Sequence, residues 1–124
     1  MEKIGNMSNK YEKVKEDRYS RFVYSLNQCG MFLLHSSDKM IETCLFEDFD
    51  IGARGDISDD NLEIFMYEGW IDENIKEKCI ELRELFLKIH SEMPQLWNVQ
   101  SVKTSPVWHD ILTLSDSIKS MLYA

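Results

Sequence analysis

The chain has 124 residues, the size of one ordinary domain, and its apolar fraction of 44% is enough for a single hydrophobic core. Charged residues make up 29% of the chain, well short of a disordered polyelectrolyte, and the formal net charge is −8. No apolar run approaches the roughly 18 residues of a membrane span, and the first residues lack the apolar stretch of a signal peptide. The cysteines Cys29, Cys44 and Cys79 are odd in number and widely spaced, which indicates buried free thiols. We therefore expect a soluble cytoplasmic protein.

The apolar spacing around Phe22 and Leu26 predicts a first helix that begins near Ser8 and continues past Gly30 to Leu34. The segment 1–8 is expected to be flexible. Lysines and arginines in the first part of this helix alternate with acids that cancel most of their charge. This alternation indicates a solvated helix face and argues against a nucleic-acid-binding track.

A second, shorter helix is predicted to start at Ser37 and to bury Met40, Ile41, Cys44 and Leu45. Residues 48–57 contain two glycines and are interpreted as a loop. Ser58 can then cap a short helix that carries Leu62, Phe65 and Met66 and ends at Gly69.

The clearest pattern lies between Asp72 and Met93, where apolar residues recur at alternating steps of four and three. Asp72 can cap this helix and Pro94 ends it. A last helix is predicted after Ser105 and Pro106, a serine cap followed by proline at the first helical position. Residues 97–102 alternate in polarity and are interpreted as extended.

These elements predict an all-α protein, a single domain over residues 1–124 built as a bundle of about five helices. The histidines are isolated from one another, and no zinc-ligand spacing, phosphate-binding loop or nucleophile motif is present. Residues 48–59 resemble a calcium-binding loop at three aspartates but depart from it at Gly52, Ala53 and Asp59. No catalytic residue, metal or cofactor is predicted, and we do not expect an enzyme.

The negative charge is concentrated in residues 42–73, which we call the acidic block. It holds eleven Asp and Glu residues and a single base, Arg54, whereas acids and bases are nearly balanced elsewhere. A field localised in this way repels nucleic acid and anionic membranes, and it attracts a basic partner. The block therefore predicts binding to a protein, with neither nucleic acid nor membrane as a partner.

Aromatic residues stand inside the acidic block. Phe65 keeps step with Leu62 and is expected in the core, whereas Phe46, Phe49, Tyr67 or Trp70 are candidates for exposed anchors. Aromatic anchors supply affinity and the surrounding carboxylates speed the encounter with a basic partner. The competing interpretation is an acidic surface that only aids solubility. The predicted contact residues are Asp48, Asp50, Asp56, Asp59, Asp60, Glu63, Tyr67 and Trp70.

A small, acidic, helical protein with aromatic residues among carboxylates resembles the immunity proteins of bacterial toxin–immunity pairs. Trp97-Asn98-Val99 and residues 102–111 are similar to the endings of immunity proteins from contact-dependent growth inhibition systems. The resemblance implies a protein that neutralises a cognate toxin domain, often a nuclease, by covering its active site or substrate groove. It carries over no catalytic residue.

The alternative is a regulatory or adaptor module, antitoxin-like or phage-encoded, that acts through protein–protein association. In that interpretation the apolar stripe between Asp72 and Met93 would be exposed and would mediate assembly, with a homodimer as one form.

Overall fold

A computed structural model describes the backbone of residues 2–123 and the side chains of residues 10–123. Residues 2–123 contain six helices and no strand, as an all-α bundle requires, so the predicted fold class is confirmed. The helices are α1 (Glu2–Asn27), α2 (residues 38–54), α3 (Asp59–Tyr67), α4 (Glu73–Glu92), α5 (Val99–Thr104) and α6 (Pro106–Leu122). Two 3₁₀ turns, Met31–His35 and Pro94–Leu96, connect them. The predicted flexibility of residues 1–8 lies outside the fully described residues.

The core forms chiefly between α4 and α6. The apolar stripe of α4 is buried along its whole length, and Trp108, Ile111, Leu112 and Ile118 of α6 are buried against it. The indole nitrogen of Trp108 donates a hydrogen bond of 2.8 Å to the carbonyl of Leu96, which satisfies its polar group inside the core. Because the apolar stripe of α4 is buried within the monomer, it is not an exposed surface for association between two copies.

The predicted helix starts are confirmed by the capping hydrogen bonds. The Asp72 carboxylate accepts from the N–H of Ile75 at 2.9 Å, and Ser58 accepts from the N–H of Asn61 at 3.2 Å. Ser37 and Ser105 cap α2 and α6 in the same way. Each of these bonds satisfies one of the N–H groups that a helix start leaves without a partner.

The predicted loop at 48–57 is wrong, because α2 continues to Arg54. Its middle part, Glu42–Phe49, is π-helical, with Asp38–Ile41 before it and Asp50–Arg54 after it in the α form. In a regular α-helix residue 48 would lie two turns beyond the buried Ile41 and on the same face. The wider π turns shift this register, so Phe49 is buried and Asp48 lies at the surface. The helical geometry also removes the resemblance to a calcium-binding loop.

Three further predictions need correction. α1 ends at Asn27 and does not continue past Gly30, because a separate 3₁₀ turn follows. Residues 97–102 are not extended, since Asn98 caps α5 by accepting from the N–H of Ser101 at 2.8 Å. Met40 is exposed, in contrast to the other three apolar residues predicted to be buried with it.

The cysteines are buried free thiols, as predicted. None of the helices between residues 2 and 123 combines the length and the apolarity needed to cross a bilayer.

Candidate interaction surface

Basic residues of α1 pair with carboxylates of the acidic block. Lys15 contacts Glu68 at 2.5 Å, and Arg21 lies 3.7 Å from Asp56. The pKa of Lys15 is raised, first by its hydrogen bond with Glu68 and then by that with Glu12. Two bases of α1 are therefore turned onto the acidic block, and each neutralises one of its carboxylates within the fold.

A second set of pairs joins α3 to α4. Arg83 donates a hydrogen bond of 2.8 Å to Asp59 and another of 2.9 Å to the Ile57 carbonyl, and its side chain is mostly buried. Lys76 contacts Glu63 at 2.5 Å, and this hydrogen bond is the main cause of its raised pKa. Both pairs hold the N-terminal half of α3 against α4.

Some of the predicted contact residues are held in contacts within the fold, and others are exposed at the surface. Asp50 pairs with Arg54 at 3.1 Å within α2, and Asp56 also accepts a hydrogen bond of 2.8 Å from the Ser25 hydroxyl. Asp50, Asp56 and Asp59 are therefore engaged in contacts that stabilise the fold.

Asp48 lies on a different part of the surface, between α1 and α2. It accepts a hydrogen bond of 3.1 Å from the Tyr24 hydroxyl, and this bond is the main cause of the raised pKa of Tyr24. Ile51, one helical turn further along α2, is 69% exposed. The sequence analysis singled out neither Tyr24 nor Ile51, and Ile51 lay in the segment interpreted as a loop.

Asp60, Glu63 and Tyr67 share one outward face of α3. They are spaced by three and four residues, and all three are exposed. Tyr67 is 91% exposed, the largest value among the exposed large apolar and aromatic side chains. The opposite side of the helix buries Leu62 and Phe65. The sequence prediction of an exposed aromatic residue among carboxylates is met most directly at Tyr67.

The neighbouring helix continues this surface. Glu73, Glu77 and Glu81 recur every four residues along the outward side of α4, and all three are exposed. No ion pair to any of them is found among the side chains of residues 10–123. Lys76 of α4 contacts Glu63 of α3 at 2.5 Å and is also influenced by Glu73, so these two carboxylates flank one base where the helices meet. We call the exposed residues Asp60, Glu63, Tyr67, Glu73, Glu77 and Glu81 of these two adjacent helices the acidic face.

Trp70 occupies the turn between α3 and α4. Gly69 has φ of 75°, and the N–H of Trp70 reaches back to the Phe65 carbonyl at 2.9 Å, which closes α3 in a Schellman motif. The Trp70 ring is half-buried, with its centroid 5.3 Å from that of Tyr19 and 6.1 Å from that of Phe65. Phe49 is fully buried and Phe46 packs against Trp97, so neither of the other two aromatic candidates is an exposed anchor.

Within the described part of the chain, no group of three or more His, Cys, Asp or Glu side chains is arranged to hold a metal ion. Comparisons with protein-family models, with curated proteins and with solved structures found no match to this chain.

Proposed function

We propose that this protein is an immunity protein that binds a cognate bacterial toxin domain and blocks it through the acidic face. The toxin is expected to be basic at the contact surface, as a nuclease is in its substrate groove. The observation that carries the proposal is the exposure of Tyr67 on the same face of α3 as Asp60 and Glu63.

The charge of the acidic face supports this proposal. The carboxylates of Asp60, Glu73, Glu77 and Glu81 lie outside the internal ion pairs and extend the negative surface over two helices. Carboxylates on a rigid helix can occupy the positions that substrate phosphates would take in a basic groove. Such charge steers association and makes its rate fall with ionic strength.

Tyr67 supplies the second element of the proposed contact. A tyrosine that is 91% exposed makes little contact within its own chain, so its removal should leave the fold unchanged. In an interface the same ring is a favourable anchor, because it buries a large area with few rotatable bonds.

The proposal is tested with the product of the neighbouring reading frame as the candidate toxin. Binding is measured by calorimetry at two salt concentrations, and neutralisation is measured as growth of cells that co-express the toxin. We expect Tyr67→Ala to weaken binding about 30-fold, the loss typical of an interface hot spot. Asp60→Asn should weaken it as well, and more at low salt than at high salt.

Matched controls separate the acidic face from a general effect of charge or aromatic content. Tyr11→Ala removes a tyrosine that is 70% exposed on α1, and Asp110→Asn removes one exposed carboxylate from α6. Both controls should bind as the unchanged protein does. Equal affinity of all four variants would refute the role of the acidic face, and failure to bind the neighbouring product at all would remove the immunity function.

A further inference from the structure

A groove opens beside Trp70, between α1 and the turn that joins α3 to α4. It is lined by Glu16, Tyr19, Ser20 and Trp70 and has a volume of about 400 Å³. Trp70 and Tyr67 are three residues apart at the end of α3, so the groove lies next to the acidic face. A partner docked on that face would reach it.

The groove has an aromatic wall whose geometry is fixed. The ring of Tyr19 is held between those of Phe22, Phe65 and Trp70, at centroid distances of 5.7, 5.1 and 5.3 Å. The indole of Trp70 is therefore supported from the core side and remains half-exposed toward the groove. Tryptophan is the aromatic side chain that attracts cations most strongly over its ring.

Glu16 adds a negative charge to the rim. It is exposed, and no ion pair to it is found among residues 10–123, whereas the adjacent Lys15 is held by Glu12 and Glu68. The aromatic ring and the carboxylate both favour a cation in this groove.

We propose that this groove binds an arginine side chain of the protein partner. Arginine fits better than lysine, because its planar guanidinium group can stack on an indole while donating paired hydrogen bonds to a carboxylate. The Trp70 ring would support the stacked group, and Glu16 would accept the hydrogen bonds. The inference rests on the proposed function in one respect only, namely that the toxin supplies the arginine.

The groove is tested first without the toxin. The probe is the capped tripeptide acetyl-Gly-Arg-Gly-amide, and the control peptide carries citrulline, which has nearly the same shape but no charge. The indole N–H signals of the three tryptophans are followed by NMR, and the Trp70 signal is identified by its loss in Trp70→Leu. We expect the arginine peptide to shift the Trp70 signal saturably and the citrulline peptide to leave it unchanged.

Glu16→Gln should weaken binding of the arginine peptide about two- to fivefold, as expected for one exposed charge contact. Glu42→Gln removes the same charge from α2, away from the groove, and should have no effect. Because Glu16 is exposed, this test does not depend on whether Trp70→Leu folds. Equal binding of the two peptides, or equal affinity of the Glu16→Gln and Glu42→Gln proteins, would overturn the assignment.

The toxin experiment separates this inference from the proposed function. If the groove selects arginine over citrulline but the neighbouring product is not bound, the cation site stands and its assignment to a toxin falls. If the toxin binds Glu16→Gln as tightly as the unchanged protein, the immunity function stands and the groove is not part of the interface.

Discussion

Gly52 of α2 and Ser25 of α1 approach so closely that a side chain at position 52 has no room. A Cβ atom added to Gly52 would lie 2.2 Å from the Ser25 Oγ atom and 2.5 Å from its Cβ atom. Rotation of the hydroxyl relieves only the first contact, because the Ser25 Cβ atom moves only with the backbone of α1. The Gly52→Ala variant therefore forces the two helices apart.

The expected cost follows from three contributions. Overpacking of this kind costs about 1–3 kcal/mol. Displacement of Ser25 also disturbs its 2.8 Å hydrogen bond to Asp56, and a bond to a charged group contributes about 1.5–3 kcal/mol. In the opposite direction, replacing a helical glycine by alanine stabilises the helix by about 1 kcal/mol. The net loss is about 3 kcal/mol, which lowers the melting temperature by about 9–18 °C in a chain of this size.

Urea denaturation measures this loss, with Gly55→Ala as the matched control. A Cβ atom at Gly55 meets nothing closer than the Ile51 carbonyl at 3.5 Å, so that variant should stay within about 0.5 kcal/mol of the parent. Ser25→Gly removes the obstructing atoms, so the double variant with Gly52→Ala should be more stable than the sum of the single effects, by about 1–2 kcal/mol. Equal stability of Gly52→Ala and Gly55→Ala would refute the close approach of α1 and α2.

Arg83→Met should lower the free energy of unfolding in urea by about 1–3 kcal/mol, because it removes the hydrogen-bond donor to the Ile57 carbonyl. An unchanged free energy would contradict a stabilising role for this hydrogen bond. Gly69→Ala meets no steric obstacle but must adopt φ of 75°, so we expect a loss of about 1 kcal/mol by the same measurement. Burial raises the pKa of Cys29 and of Cys79 to about 12, so neither thiol should react with a thiol reagent at pH 8 until urea unfolds the chain. A cysteine thiol has an ordinary pKa of 9.0, so above pH 9 the two thiols lose their protons in the unfolded state before they do in the folded state. The free energy of unfolding should therefore fall between pH 9 and pH 12. Cys79→Ala should reduce the slope of the free energy of unfolding against pH by about 1.4 kcal/mol per pH unit in this range. An unchanged slope would show that the Cys79 thiol does not lose its proton on unfolding.

The sequence by itself determined most helix ends. Asp72, Ser58 and Ser105 each accept a hydrogen bond from an N–H group two or three residues further along, so the whole interaction is contained in a short stretch of sequence. The same is true of the closing turn at Gly69. The buried apolar stripe of α4 could also be predicted from the sequence, because its spacing follows the helical repeat.

The course of α2 was decided by tertiary structure. Gly52 and Gly55 predict a loop when only local preference is considered, and Gly52 instead permits the contact with Ser25, which is 27 positions earlier in the chain. The π turns that place Phe49 in the core and Asp48 at the surface have no local signal either. Packing against α1 and α4 outweighed the weak local preference of this segment.

The charge of the acidic block was visible in the sequence, but its distribution over the surface was not. Lys15 and Glu68 are separated by 53 residues, and Arg83 and Asp59 by 24. The attraction between two charges depends on their distance in space, and only the folded arrangement of α1, α3 and α4 sets that distance. Tertiary structure therefore decided which carboxylates are held by internal bases and which, like Asp60 beside Tyr67, face outward.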